Sequence, residues 1–150
     1  MPRCLLAQLH RTTQLWAIAQ NTAYGYATLY KNLTGALNTA IGYNALFENL
    51  TSGITAVGFS SLDANTTGAG NTAIGANSLT ANTIGSRNNA DGYYSLQANT
   101  TGNDNTAVGY YSLFANTTGQ ANVAVGSQAL DANTAGNYNV AVGDNALGSN

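Results

Sequence analysis

Short runs of small and apolar residues, each closed by a glycine, recur along this chain with polar turns between them. The pentapeptide Asn-Thr-Ala-Ile-Gly or a close copy occurs eight times, and successive copies start 17 residues apart except for one step of 16. A fixed period of this length is typical of solenoid proteins, in which one repeat cannot bury its apolar side without neighbours. The copies begin at Asn21, Asn38, Ile54, Asn71, Asn88, Asn105, Asn122 and Asn139.

Each repeat is called a coil here, numbered 1 to 8, and each position within a coil is a column. Four columns never vary, and in coil 4 they are Ala73, Gly75, Leu79 and Asn82. Coils stacked about 4.8 Å apart would align the leucines into an apolar ladder. The asparagines would form a turn ladder, because Asn accepts left-handed geometry and its amide can bond the next coil. We therefore predict an all-β chain, a parallel β-solenoid of about eight 17-residue coils over residues 21–150.

The strand at the start of each coil carries small or apolar residues on both of its faces. Successive side chains of a strand point to opposite faces, so Ala73 and Gly75 face one way while Thr72 and Ile74 face the other. Only one of these two sets of side chains can fill the interior of a narrow coil. We expect one face to pack against another chain, which favours a ring-symmetric oligomer and most simply a homotrimer.

Composition narrows the possible functions. Charged residues make up 7% of the chain against about 25% in ordinary globular domains, and only four are Lys or Arg. Such a chain has no basic stripe, so we expect no nucleic-acid partner. No run of about 20 apolar residues is present, so we expect no membrane insertion.

Residues 1–20 do not fit the repeat. The segment Ala17-Ile18-Ala19 resembles a signal-peptide cleavage site, but His10 and Arg11 interrupt the apolar region before it. One alternative is that these residues are a non-repeat leader that forms a cap or an interface segment. The other is that they are sequence left by cloning. The repeat also stops within its last coil, which suggests a fragment of a longer fibre.

Two segments resemble a known family. Asn38-Thr39-Ala40-Ile41-Gly42-Tyr43-Asn44-Ala45-Leu46 and Asn105-Thr106-Ala107-Val108-Gly109-Tyr110-Tyr111-Ser112-Leu113 are similar to the YadA-like head repeats of trimeric autotransporter adhesins. They are even more similar to repeats that precede chaperone domains in bacteriophage tail fibres. The resemblance covers residues 21–150 and implies a trimeric, left-handed parallel β-roll that attaches to surfaces. The adhesin heads use a shorter coil than this chain does.

Catalytic residues are scarce. His10 is the only histidine and Cys4 the only cysteine, and both lie outside the repeat. A Ser-His-Asp or Cys-His arrangement would therefore depend on the leader. We predict that the chain is not an enzyme, that it has no catalytic residues, and that it uses no cofactor and no regular metal ladder.

Asp91 departs from its column, the fourth, where the other coils have Ile, Val or, once, Tyr. Three such carboxylates near a three-fold axis would need a cation, protonation or water, which makes Asp91 a weak candidate for an ion or polar layer. The alternative is that the column lies near solvent at this level and simply accepts an Asp.

Aromatic residues concentrate in the sixth, seventh and tenth columns. Because Tyr combines a flat apolar face with a polar tip, these rings form a candidate strip for a sugar or protein ligand; alternatively, they fill grooves between subunits. The best candidates for ligand contact are Tyr93, Tyr94, Tyr110, Tyr111 and Phe114.

From these features we expect a structural fibre or adhesin module, extracellular or on a cell surface or virion, that attaches to a host cell, glycan or matrix through several equivalent faces. Two alternatives remain open. The first is an ice- or surface-ordering solenoid, which the Thr residues of the second column favour. The second is a small hydrolase or transferase with its site at a subunit interface. Five Asn-x-Ser/Thr triplets recur with the turn, and we interpret them as turn chemistry rather than as glycosylation acceptors.

Overall fold

The computed structural model describes residues 20–148. Residues 1–19, where most of the leader lies, and residues 149–150 are outside the described part of the chain. Within residues 20–148, eight strands of three residues each account for the regular structure, one at the start of every coil. Their bounds are β1 (Thr22–Tyr24), β2 (Thr39–Ile41), β3 (Thr55–Val57), β4 (Thr72–Ile74), β5 (Asn89–Asp91), β6 (Thr106–Val108), β7 (Val123–Val125) and β8 (Val140–Val142).

The strands form one parallel sheet in sequence order, from β1 to β8. Each strand pairs with its neighbours column by column, so that Ala73 lies between Ala56 and Ala90. Residues 20–148 contain no helix, and the chain makes a β-solenoid of about seven turns. The predicted all-β solenoid and its register are thereby confirmed.

Hydrogen bonding between coils continues outside the strands. The backbone nitrogen of Leu79 donates to the carbonyl oxygen of Ser95 at 3.0 Å, and that of Ala81 donates to the carbonyl of Gln97 at 3.1 Å. Further along, the nitrogen of Thr83 donates to the carbonyl of Thr100 at 3.0 Å. The turns are therefore stacked as closely as the strands, and each coil serves as the template for the next.

The interior is narrow and is filled by a few repeated side chains. The alanines of the third column and the leucines of the ninth are fully buried through most of the rod, for example Ala73 and Leu79 at 0% exposure. Burying one Leu per coil contributes about 1.5–3 kcal/mol. The predicted Leu ladder is confirmed, and the inward-facing surface of the strand is the one that carries Ala and Gly.

The backbone conformation of the turns differs from the prediction. The leucines of the ninth column, not the asparagines of the twelfth, adopt the left-handed region, with φ between 50° and 54°. A left-handed L-residue costs about 1–2 kcal/mol. Burial of the Leu side chain offsets that cost, because the sharp turn at this residue is what directs Leu into the interior.

The asparagines of the twelfth column act through their amides. The Nδ2 of Asn99 donates to Oδ1 of Asn82 at 2.8 Å, and the Nδ2 of Asn116 donates to Oδ1 of Asn99 at 3.0 Å. The Nδ2 of Asn99 also donates to the carbonyl of Gly102 at 3.1 Å. The predicted amide ladder between coils is confirmed.

A second amide ladder runs along the first column. Asn88 donates from Nδ2 to the carbonyl of Gly102 at 2.8 Å, and its Oδ1 accepts the backbone nitrogen of Asn105 at 3.0 Å. The carbonyl of Gly102 thus accepts from both ladders, because Asn99 bonds to it as well. The two ladders share one row of carbonyl groups and so fix the turn to the start of the strand.

The fifth-column glycines are required by the distance between coils. A Cβ on Gly75 would collide with the carbonyl oxygen of Gly92, and φ at Gly75 is 128°. L-residues with side chains do not adopt that conformation at low energy. The invariant glycine is therefore explained both by its own backbone and by the coil stacked on it.

Coil 2 has 16 residues, one fewer than coils 1 and 3 to 7, and the loss lies in its turn. Asn49 donates from Nδ2 to the carbonyl of Thr51 at 2.8 Å, and Asn38 donates to the same carbonyl at 2.9 Å. Thr51 thus takes the place that Gly102 has in coil 5. The register of β2 on β3 is unaffected.

Replacing one ladder asparagine should weaken the whole stack. Asn99→Ala removes the donor to the buried Oδ1 of Asn82 and the acceptor of Asn116, while the carbonyl of Gly102 keeps its bond from Asn88. We therefore expect the free energy of unfolding to fall by about 3 kcal/mol. Asn44→Ala is the control, since Asn44 is half-buried and Ala27 has the same conformation one coil away, and its loss should stay below about 1 kcal/mol. Urea unfolding followed by circular dichroism measures both, and equal losses would contradict the ladder's role.

Two glycines of neighbouring coils should respond very differently to alanine. For Gly75→Ala, collision with the next coil adds to an unfavourable φ, and we expect a loss of at least about 3 kcal/mol. For Gly70→Ala the nearest atom, Cγ of Arg87, is at an ordinary 3.7 Å, and Ala121 holds the same conformation in its own coil. That variant should lose about 1 kcal/mol or less, since only the backbone term remains. Melting temperatures that fall equally would disprove the stacking argument.

Candidate functional site

The outward side of the sheet, called the outer sheet face below, is formed by the second column, which is mostly Thr, and the fourth column, which is mostly Ile and Val. Most fourth-column residues are exposed in the single chain: Ile41 is 38% exposed, Ile74 41% and Val142 70%. Val57 and Val108 are half-buried. Since exposed apolar surfaces that are continuous over several strands mark contact sites in soluble proteins, this face is a candidate interface.

Asp91 lies on the outer sheet face in strand β5, between Ile74 of β4 and Val108 of β6. Its side chain is exposed. Within residues 20–148, no three His, Cys, Asp or Glu side chains come close enough to hold a metal ion. One chain thus places a single carboxylate in an apolar surface, and an ion or polar layer at Asp91 would require carboxylates from other copies.

The Thr column that favours the ice-ordering alternative also lies on the outer sheet face. Thr39, Thr55 and Thr72 are half-buried there, and the second column of coil 5 holds Asn89 instead. Val123 and Val140 take the same place in coils 7 and 8. The hydroxyl array therefore ends after coil 6, and the remainder of the face is aliphatic.

Aromatic rings of coils 1 to 3 stack along the rod, and we call them the N-terminal aromatic column. Tyr26 stacks on Tyr43 with ring centroids 5.1 Å apart, and Tyr43 stacks on Phe59 at 5.3 Å with the ring planes 10° apart. Tyr30 and Phe47 of the tenth column make a second parallel pair at 5.1 Å. The spacing of these rings follows directly from the distance between coils.

The five residues selected as ligand candidates come together in coils 5 and 6, and we call them the aromatic cluster. Tyr93 stacks on Tyr110 at 5.9 Å with the planes 7° apart, and it meets Tyr94 edge-on at 4.4 Å. Tyr110 lies 4.5 Å from Tyr111, and Tyr111 lies 4.6 Å from Phe114. The five rings thus form one continuous patch drawn from three columns.

Local backbone geometry brings neighbouring rings of the cluster together. Tyr94 and Tyr111 adopt left-handed conformations, with φ of 58° and 55°, directly after the residues whose rings they touch. Tyr93 and Tyr110 are about half exposed, at 46% and 52%. Tyr93 and Tyr110 are therefore the members of the cluster most accessible to solvent, while Tyr94, Tyr111 and Phe114 are half-buried.

The tyrosine hydroxyls influence one another. A side-chain hydrogen bond with Tyr94 raises the pKa of Tyr93, and partial desolvation adds to that effect. The pKa of Tyr111 is raised mainly by desolvation and to a smaller extent by the neighbouring Tyr110 and Tyr94. Because the pKa values are raised, these two groups remain neutral hydrogen-bond donors beyond the usual pH range of a tyrosine.

Two ion pairs between coils are features that sequence reasoning missed. Lys31 bonds to Glu48 at 2.7 Å and lies 5.3 Å above the Phe47 ring. Arg87 binds both carboxylate oxygens of Asp104, at 2.6 and 2.8 Å, and this hydrogen bonding lowers the pKa of Asp104. The two residues of each pair hold the same column in adjacent coils. Opposite charges 17 residues apart in the sequence would therefore have predicted both pairs.

The Asn-x-Ser/Thr triplets are closed to modification in the folded chain. Their asparagines are at most 3% exposed, and each side-chain nitrogen donates a hydrogen bond within the turn. The structure therefore agrees with the interpretation of these triplets as turn chemistry. The residues concerned are Asn32, Asn49, Asn65, Asn99 and Asn116.

His10 and Cys4, the residues on which a hydrolase would depend, lie outside the described residues. Among residues 20–148, no helix is long and apolar enough to cross a bilayer. No protein-family model matches the chain, and searches of curated proteins and of solved structures returned no significant match.

Proposed function

We propose that the chain is a structural module of a fibre or adhesin, extracellular or on a cell surface or virion, without enzymatic activity. In this proposal it forms a left-handed, homotrimeric β-roll that attaches to a host cell, glycan or matrix surface. The observation that carries the proposal is the exposed aromatic cluster, which presents five adjoining rings on a rigid and nearly uncharged rod.

The outer sheet face supports the trimer. Its Ile and Val side chains form an apolar strip over most of the sheet, and it faces away from the interior that the Ala and Leu ladders fill. A self-complementary strip of this kind suits contact between identical chains around one axis. Three copies would then carry three aromatic clusters, and simultaneous contacts would turn weak affinities into avidity.

Charge on the outer sheet face should separate the subunits without unfolding them. Wild type should sediment at three times the 15.4 kDa chain mass, whereas Ile41→Asp should sediment at or near the mass of one chain, because Ile41 is exposed in the single chain and covered in the trimer. Ile41 is paired with Tyr24 and Val57, so the added carboxylate meets no like charge in its column. The control is Thr118→Asp, at an exposed turn position, which should remain trimeric. Analytical ultracentrifugation decides, and a monomeric wild type would refute the trimer.

Removing rings from the aromatic cluster should reduce attachment. We expect the double variant Tyr110→Ala and Tyr111→Ala to lose binding to glycan arrays and to matrix-coated or cell-coated surfaces by about tenfold or more, since avidity multiplies the loss at each copy. Tyr138→Ala is the control, because Tyr138 is 82% exposed and lies outside the cluster. Wild type that binds none of these surfaces, or a double variant that binds as wild type does, would count against the proposed attachment.

A further inference from the structure

The aromatic surface of the rod is interrupted at one coil. The sixth column carries Tyr26, Tyr43 and Phe59 in coils 1 to 3 and Tyr93 and Tyr110 in coils 5 and 6, but coil 4 has Ala76. Backbone hydrogen bonds keep this column in register, since Asn77 N donates to the carbonyl of Phe59 and Tyr94 N donates to that of Ala76. Ala76 is therefore stacked directly between two ring-bearing residues.

The interruption leaves space for one ring. Stacked rings on either side of it are spaced by 5.3 Å for Tyr43 and Phe59 and by 5.9 Å for Tyr93 and Tyr110. Phe59 and Tyr93 are two coils apart, or about 10 Å along the axis. With carbon contacts of about 3.5–4 Å on each side, a single six-membered ring fits between them. We call this space the coil 4 slot.

The edge of the slot is polar, unlike its walls. In coil 5 the seventh column lies beside the sixth, as the contact of Tyr94 with Tyr93 at 4.4 Å shows. The seventh-column residue of coil 4 is Asn77, which is half-buried. An amide therefore borders the slot where the aromatic cluster has a ring.

Coil 4 offers no unpaired charge to a ligand. Arg87 is the charged residue of the segment from 71 to 87, and its guanidinium donates two hydrogen bonds to the carboxylate of Asp104. Coils 3 and 5, which supply the walls, add the acids Asp63, Asp91 and Asp104 and no cation, so an anionic ligand is disfavoured. A neutral pyranose with equatorial hydroxyls suits the slot, because its C–H groups line both faces and its hydroxyls lie at the edge, whereas a plain aromatic ring has no such edge.

We infer that the coil 4 slot binds a neutral pyranose ring of a glycan, held between Phe59 and Tyr93 above Ala76, with Asn77 bonding its hydroxyls. This inference rests on the proposed attachment function and names one ligand class for it. The site is separate from Tyr110 and Tyr111, which the attachment experiment changes. A ring held by two stacking contacts binds weakly, on the order of millimolar, so the trimer would act by avidity.

The test fills the slot from within. Ala76→Tyr supplies the missing ring of the column, and binding of methyl glucoside, galactoside and mannoside is followed by saturation-transfer NMR. Wild type should bind at least one of the three, and Ala76→Tyr should weaken that binding by about tenfold or more. Ser127→Tyr is the control, because it adds the same ring to the same column beyond Tyr110 and leaves the slot open, so its affinity should equal that of wild type.

Further variants keep the inference falsifiable. If Ala76→Tyr does not fold, as judged by circular dichroism, Phe59→Ala removes one wall and should abolish binding instead. Absence of binding by wild type to all three glycosides overturns the inference, as does unchanged binding by a folded Ala76→Tyr. Stronger binding of phenol than of any glycoside also overturns it. Wild type that attaches to surfaces but binds none of the glycosides refutes the slot alone, whereas glycoside binding without attachment refutes the proposed function alone.

Discussion

The close contact between successive coils is the constraint on which the rest of the structure depends. Backbone groups bond from coil to coil in the strand and again in the turns, so the whole outline of one coil is repeated by the next. A Cβ at Gly75 or Gly85 would meet a carbonyl oxygen of the neighbouring coil. The chain can therefore keep a narrow interior of Ala, Ser, Leu and Asn, where only small or self-complementary side chains fit.

Stacking identical columns also selects which polar residues the rod can contain. An amide carries both a donor and an acceptor, so Asn82, Asn99 and Asn116 satisfy one another in series. A column of like charges would instead place repelling groups about 5 Å apart. Opposite charges can share a column, as Lys31 does with Glu48 and Arg87 with Asp104. The low charge content of the sequence thus follows from the register of the fold.

Columns of the sequence were sufficient to predict the parallel solenoid, the Leu ladder and the amide ladder, because each depends only on a residue meeting its own copy 17 positions later. The same spacing predicts that Tyr93 and Tyr110 stack, as they do. It could not give the left-handed turn at Leu79, which residue preference alone argues against. Nor could it show that Tyr111 meets Phe114, since contact between different columns requires the path of the chain within one coil. The oligomeric state and the role of Asp91 depend on other chains and remain predictions.

The missing residue of coil 2 shows where this architecture accepts change. The turn after Asn49 is shortened, yet the strands on both sides keep their partners and Thr51 takes over the carbonyl position in the ladder. Every coil thus meets its neighbours through the same few atoms. Gain or loss of a whole repeat by recombination within the gene would lengthen or shorten the rod by about 4.8 Å and require no new contact. Length is therefore a property that such a gene can vary independently of the fold.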